Sequence, residues 1–158
     1  MAEPLSNRII RKIDEAAELY HRLILLVAPA RAGKTAALQD VNERIGAPLL
    51  NVNLELSRRM LDLTERQRAL QLPRLLSEVV YAAQGNVILL DNVEILFELS
   101  LRQDPLRLLQ GLSRSKTVVA AWGGSIDHEY LVYATPGHPE YRRYPVRDLL
   151  IVETEADE

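Results

Sequence analysis

Leu23-Ile24-Leu25-Leu26-Val27-Ala28-Pro29-Ala30-Arg31-Ala32-Gly33-Lys34-Thr35 is the stretch whose reading decides the fold of this chain. Its first five residues are an unbroken apolar run, the pattern of a strand buried on both faces of a parallel sheet. The remainder, Ala28 to Thr35, fits the phosphate-binding loop pattern with alanine in place of the first glycine. The residue types suit one chemistry in this order. Backbone N–H groups pointing into a tight loop make an anion nest, and the helix that follows adds the positive end of its dipole. Gly33 supplies backbone freedom, Lys34 reaches the β- and γ-phosphates, and the Thr35 hydroxyl is a magnesium ligand. The expected contact set runs Ala28, Pro29, Ala30, Arg31, Ala32, Gly33, Lys34, Thr35 and Ala36. Such a pattern arises by accident in roughly one chain per hundred of this length. Its placement between an apolar strand and a helix makes accident rarer still.

Working outward, a helix is expected from Lys34 to Ile45, stopped by Gly46-Ala47-Pro48, and Leu49–Asn53 reads as a second strand. Residues 54–84 look helical but interrupted. Thr64 and Gln67 make a capping-box pair, Pro73 is expected to open a new helix, and Leu75, Leu76, Val79, Val80 and Ala83 share one face. Val87–Leu90 is an apolar strand closed by Asp91, and Asp104-Pro105 starts a helix through Leu112. Thr117–Trp122 is a fourth strand, Tyr130–Tyr133 a short one, Thr135–Tyr144 a turn-rich loop and Leu149–Val152 a fifth apolar strand. Upstream, residues 6–20 read as an amphipathic helix capped by Ser6, with Ile9, Ile13, Ala16, Ala17 and Tyr20 on one face. Strands alternating with helices imply an α/β, three-layer P-loop NTPase domain around a central, mostly parallel five-stranded sheet. The expected division is an N-terminal helix packed on the core (1–22), the P-loop domain (23–152) and a disordered acidic tail (153–158).

Composition bounds the function classes. The chain's 158 residues give one domain with a real core. No apolar run approaches the about 20 residues needed to span a bilayer, and the N-terminus lacks the apolar stretch of a secretory signal. There is no cysteine, which excludes disulfides and thiolate metal sites and fits a cytoplasmic location. A net charge of −3 argues against a generic nucleic-acid coat.

Asp91, at the end of an apolar strand, is the residue type that holds magnesium through water opposite the phosphates, so Thr35 and Asp91 form the expected metal pair. The next residue, Asn92, cannot act as a base. Glu94 is the candidate for polarising an attacking water, provided the segment turns; otherwise it is a surface residue beside Ile95-Leu96-Phe97. Asn51 or Asn53 are candidates to orient Glu94, and Ser125 to sense the terminal phosphate. Arg142 and Arg143, with Arg114 as competitor, are candidates to reach a neighbouring subunit's nucleotide and stabilise transition-state charge. The three histidines show no metal-ligand spacing.

Four longer segments carry a family resemblance. N-V-N-L-E-L-S-R-R-M-L-D-L-T-E-R-Q-R-A-L-Q-L-P-R-L (Asn51–Leu75), L-L-D-N-V-E-I-L-F (Leu89–Phe97), Q-D-P-L-R-L-L-Q-G-L-S-R (Gln103–Arg114) and P-G-H-P-E-Y-R-R-Y (Pro136–Tyr144) resemble the BrxF family. That family is the small P-loop protein of type 3 bacteriophage-exclusion systems. The resemblance implies a bacterial defence protein working beside a large ATPase, a methyltransferase and a phosphatase-like protein. The chain also looks like the ring-forming AAA+ ATPases without their helical lid, since only six residues follow Val152. A site completed by a neighbouring subunit, hence a homo-oligomer, is the resulting expectation. The expected function is an ATP- and Mg2+-dependent ATPase, with a nucleotide-gated binding module as the alternative and a small-molecule kinase third. DNA contact is expected only through an assembly, along Arg58 and Arg59 or Arg66 and Arg68, and membrane contact is not expected.

Overall fold

The computed structural model describes residues 3–29 and 32–154. The chain runs α1 (Leu5–Ala16), β1 (Leu23–Ala28), α2 (Lys34–Ile45), β2 (Leu49–Asn51), α3 (Val52–Met60), α4 (Glu65–Ala82) and β3 (Val87–Asp91). Two 3-10 turns, Val93–Phe97 and Leu99–Leu101, lead into α5 (Pro105–Leu112). The last strands are β4 (Thr117–Asp127), β5 (Tyr130–Tyr133), β6 (Arg142–Pro145) and β7 (Leu150–Glu153).

Five strands form a parallel sheet in the order β2-β3-β4-β1-β7. β1 lies near the centre, and all six of its residues are buried. Its side chains alternate between two cores, as a period of two requires. Leu23, Leu25 and Val27 join the core beneath α3, α4 and α5, while Ile24 and Leu26 join the one beneath α1 and α2. Helices therefore cover both faces of a mostly parallel sheet, an α/β arrangement of three layers. The registers Ala28↔Gly123, Val27↔Glu153 and Asn51↔Asp91 bring the carboxyl ends of these strands to one edge.

The five expected strands form the parallel sheet, and the expected short strand at Tyr130–Tyr133 together with the unexpected β6 extends it to seven. β4 runs past Trp122 to Asp127, and its outer half pairs antiparallel with β5, which pairs with β6. Gly124 permits this, because a Cβ there would lie 1.9 Å from the Val132 carbonyl oxygen. The Trp122 indole Nε1 donates to the same carbonyl at 3.2 Å. β6 occupies the end of the expected loop and is tied to the α5 entrance, with the Tyr144 hydroxyl donating to Asp104 at 2.8 Å.

Three helix boundaries also differ. α1 begins after Pro4, so Ser6 does not cap it but lies buried in the first turn, and the helix stops at Ala16. Tyr20 falls beyond it, 68% exposed, off the predicted face and under the Arg114 guanidinium. β2 ends at Asn51 because that side chain accepts from Leu54 N–H and caps α3. The Thr64–Gln67 capping box forms as expected and starts α4. Glu153 closes β7, and residues 155–158 of the predicted tail lie outside the described residues.

Pro73 does not open a helix; it sits inside α4. A proline there has no N–H for the carbonyl four residues earlier, that of Ala69. The Gln103 side-chain amide takes its place, donating to Ala69 O at 2.8 Å and to Leu101 O at 2.8 Å. Removing a donor from a part-buried carbonyl costs about 1 kcal/mol, so Gln103→Ala should lower the thermal midpoint by about 2–4 °C. In a Pro73→Ala background the restored N–H serves Ala69, and the same substitution should cost less. Equal losses in both backgrounds, measured by thermal unfolding, would contradict the assignment.

Candidate functional site

The sheet's carboxyl edge is where chains of this architecture leave room for a ligand. A cavity of about 410 Å³ opens there, lined by Gly33 to Ala36, Asp91, Asn92, Glu94, Gly123 and Tyr133. Ala28 is the buried last residue of β1, so the first position of the loop needs no glycine freedom. Gly33 does, with φ at 90° and nothing within 4 Å of where a Cβ would stand. As N-cap of α2 it offers no side chain to the first-turn N–H groups. That end of the helix therefore keeps its positive dipole for a ligand. Ala30 and Arg31 lie outside the described residues.

Three polar side chains of this edge are held by one another and by the loop. The Thr35 hydroxyl donates to Asp91 Oδ2 at 2.7 Å, and Asn92 N–H donates to Asp91 Oδ1 at 2.9 Å. Lys34 folds back so that Nζ donates to Ala28 O at 2.9 Å and Pro29 O at 2.8 Å. Both Lys34 and Asp91 are buried, at 9% and 6% exposure. Burial pushes the Lys34 ammonium below its usual range, while Glu94 and then Asp91 pull it back up. A buried ammonium on neutral carbonyls, beside two carboxylates, is chemically suited to exchange those carbonyls for a ligand's anionic oxygens. The hydroxyl and carboxylate are hard oxygen donors, which suit a cation such as Mg2+ that binds through one or two protein oxygens plus ligand phosphates and water. No cluster of three His, Asp or Glu side chains fit to hold a metal ion occurs among the described residues.

Glu94 reaches the cavity because the chain turns immediately after Asp91. Asn92 adopts the left-handed conformation (φ 55°), which asparagine tolerates better than most residues. The 3-10 turn that follows carries Glu94 back toward the sheet edge. A Cβ added to Gly123 would lie 3.2 Å from Glu94 Oε2, so the glycine leaves room for that carboxylate.

Tyr133 was not a sequence candidate, yet it borders the cavity. Its signal was hidden in pairing: register sets Gly124 opposite Tyr133, and the ring stacks on Phe97 with centroids 3.6 Å apart and planes at 10°. Burial, then the charges of Glu94 and Glu140, push its phenol up to about 12.

The remaining candidates lie away from the cavity lining. Arg142 donates to Gln103 O at 2.9 Å, and Arg143 sits 3.4 Å over the Tyr130 ring. Arg114 lies over Tyr20, and Ser125 pairs with Val132 in the hairpin. Asn51 spends its side chain on the α3 cap, and the Asn53 side-chain oxygen accepts from Ser57. Arg58 and Arg59 face Glu55, Arg68 donates to Leu63 O, and Arg66 borders a separate groove with Leu70 and Arg102.

No family model, no curated protein and no solved structure matches this chain.

The electrostatic coupling of Glu94 to Tyr133 is measurable. Subtracting the alkaline absorbance titration of Tyr133→Phe from that of the wild type isolates this phenol, expected at about 12 against its ordinary 10.0. Glu94→Gln should move it part of the way back, because burial remains. The folded phenol holds its proton more tightly than the unfolded one. Its contribution to stability is thus full below the unfolded value and drains as pH rises through the folded one. An unmoved titration in Glu94→Gln would separate the two groups.

Proposed function

We propose that this chain binds a nucleoside triphosphate with Mg2+, ATP by its family resemblance, and hydrolyses it at the cavity of Lys34, Thr35, Asp91 and Glu94. The observation that carries the reading is the 2.7 Å hydrogen bond from Thr35 Oγ1 to Asp91 Oδ2, which joins the start of α2 to the end of β3 beside a buried lysine. With it stands the loop sequence Ala28 to Thr35, in which these residue types have a phosphate-binding purpose. The fold this implies is that of a P-loop NTPase, AAA+-like in its strand order.

Each residue has a task in that chemistry. Lys34 exchanges the Ala28 and Pro29 carbonyls for the β- and γ-phosphate oxygens. Thr35 and Asp91 would hold the cation through their oxygens. Bound Mg2+ supplies charge neutralisation on the phosphate oxygens. Glu94 accepts a proton from water as the water oxygen bonds the γ-phosphorus, and the bond from that phosphorus to its bridging oxygen breaks, the electron pair leaving on that oxygen with the nucleoside diphosphate. Lys34 is the one cation among the described residues lining the cavity. A triphosphate calls for more positive charge, which supports a second cation supplied in trans by a neighbouring copy, with Arg142 and Arg143 as donors. The role in bacterial defence, the partners of the exclusion system and a cytoplasmic location rest on the sequence resemblance and composition.

One observation favours a second reading, a nucleotide-gated module without turnover. Asn92 occupies the position after Asp91, and its turn serves the backbone rather than proton transfer. Saturation at 100 times the dissociation constant stabilises a fold by about 2.7 kcal/mol, a rise of roughly 5–10 °C for this size. Mg-ATP should produce that rise in the wild type and in Glu94→Gln, but not in Lys34→Ala. Turnover should fall about 10²- to 10⁴-fold in Glu94→Gln, and turnover per subunit should increase with protein concentration as molar mass rises. Stabilisation without turnover in the wild type would select the gated module, and no stabilisation would remove both readings.

A further inference from the structure

Resting on the nucleotide reading above, we infer that Tyr133 is a terminal-phosphate contact: its hydroxyl donates a hydrogen bond that separates a nucleoside triphosphate from a diphosphate. The residue belongs to Glu94's part of the cavity. It stacks on Phe97, the last residue of the 3-10 turn that carries Glu94, and it pairs with Gly124, next to the glycine that accommodates the Glu94 carboxylate. Glu94 in turn acts electrostatically on both Lys34 and Tyr133. A phosphorus atom attacked by a water on Glu94 lies at that end, so the group nearest Tyr133 is the terminal phosphate.

The phenol is also held in advance of any ligand. Phe97 is buried, and the Trp122 indole fixes the Val132 carbonyl just before Tyr133. A donor positioned by packing and by its neighbours' hydrogen bonds loses little freedom on binding. Two other tyrosines donate within the chain, Tyr144 to Asp104 and Tyr81 to Leu112. Tyr133 makes no such bond among the described residues. Its raised phenol stays protonated throughout the physiological range, so it donates to an anion without adding to the negative charge of Glu94 and Glu140. A neutral donor beside the Glu94 carboxylate suits a phosphate that is itself anionic.

Calorimetric affinities for Mg-ATP and Mg-ADP, in the wild type and in Tyr133→Phe, test this. Phenylalanine keeps the stack on Phe97 and removes only the hydroxyl. The substitution should weaken Mg-ATP roughly tenfold or more and leave Mg-ADP within about twofold. Equal effects on the two nucleotides, or none, would overturn the inference while the nucleotide reading survives. A wild type that binds neither nucleotide overturns both. Should the variant fail to fold, resonance spectroscopy of carbon-labelled tyrosine in the wild type decides. The Tyr133 ring carbon bearing the hydroxyl should shift with Mg-ATP and not with Mg-ADP, and an identical response to both would overturn the inference.

Discussion

β1 is buried from Leu23 to Ala28, and a strand with no solvent-facing side forces the rest of the architecture. Its odd residues need one apolar layer and its even residues another, so helices must cover both faces. Parallel neighbours then follow, because each crossover helix returns the chain in the same direction. With β4 on one side and β7 on the other, the carboxyl ends of the five parallel strands fall on one edge. The loop after β1, the Asp91 carboxylate and Gly123 meet there because of register, before any polar interaction among them is considered.

Polar groups at that edge then satisfy one another. Lys34 and Asp91 are buried, the lysine donating to the Ala28 and Pro29 carbonyls and the carboxylate accepting from the Thr35 hydroxyl and the Asn92 N–H. Burying charged groups is costly, and such cost is tolerated most readily at functional positions. The hairpin of β4 and β5 closes the other part of the cavity. It does so through a glycine with no room for a side chain, an indole bond to Val132 and an aromatic stack.

Much of this is legible in the chain itself, and the parts that are not have physical reasons. Leu23–Val27 and Val87–Leu90 read cleanly because a doubly buried strand has a continuous apolar signature, and the strands extend one residue further, to Ala28 and Asp91. The Thr64–Gln67 box and the Asp104-Pro105 start were readable since caps are local chemistry. Pro73 misled because its rescue comes from Gln103, thirty residues away and invisible to any local rule. β6 and the outer half of β4 were missed because an antiparallel extension depends on Gly124 accepting a neighbouring carbonyl, a long-range steric fact. In the site, Lys34, Thr35, Asp91 and Glu94 are all legible as candidates in the sequence, while the turn at Asn92 that brings Glu94 to the cavity is visible only in the fold. Tyr133 is not legible as a site residue, since nothing in Tyr130–Tyr133 alone says which strand it will pair with.

The account's central claim is that Thr35 and Asp91 form the cation-holding end of a nucleotide site. Calorimetric titration of ATP with and without Mg2+, on the wild type and on Asp91→Asn, tests it most directly. The account predicts that Mg2+ strengthens ATP binding to the wild type and adds little in the variant. The same Mg2+ dependence in both proteins, or no ATP binding to either, would contradict it.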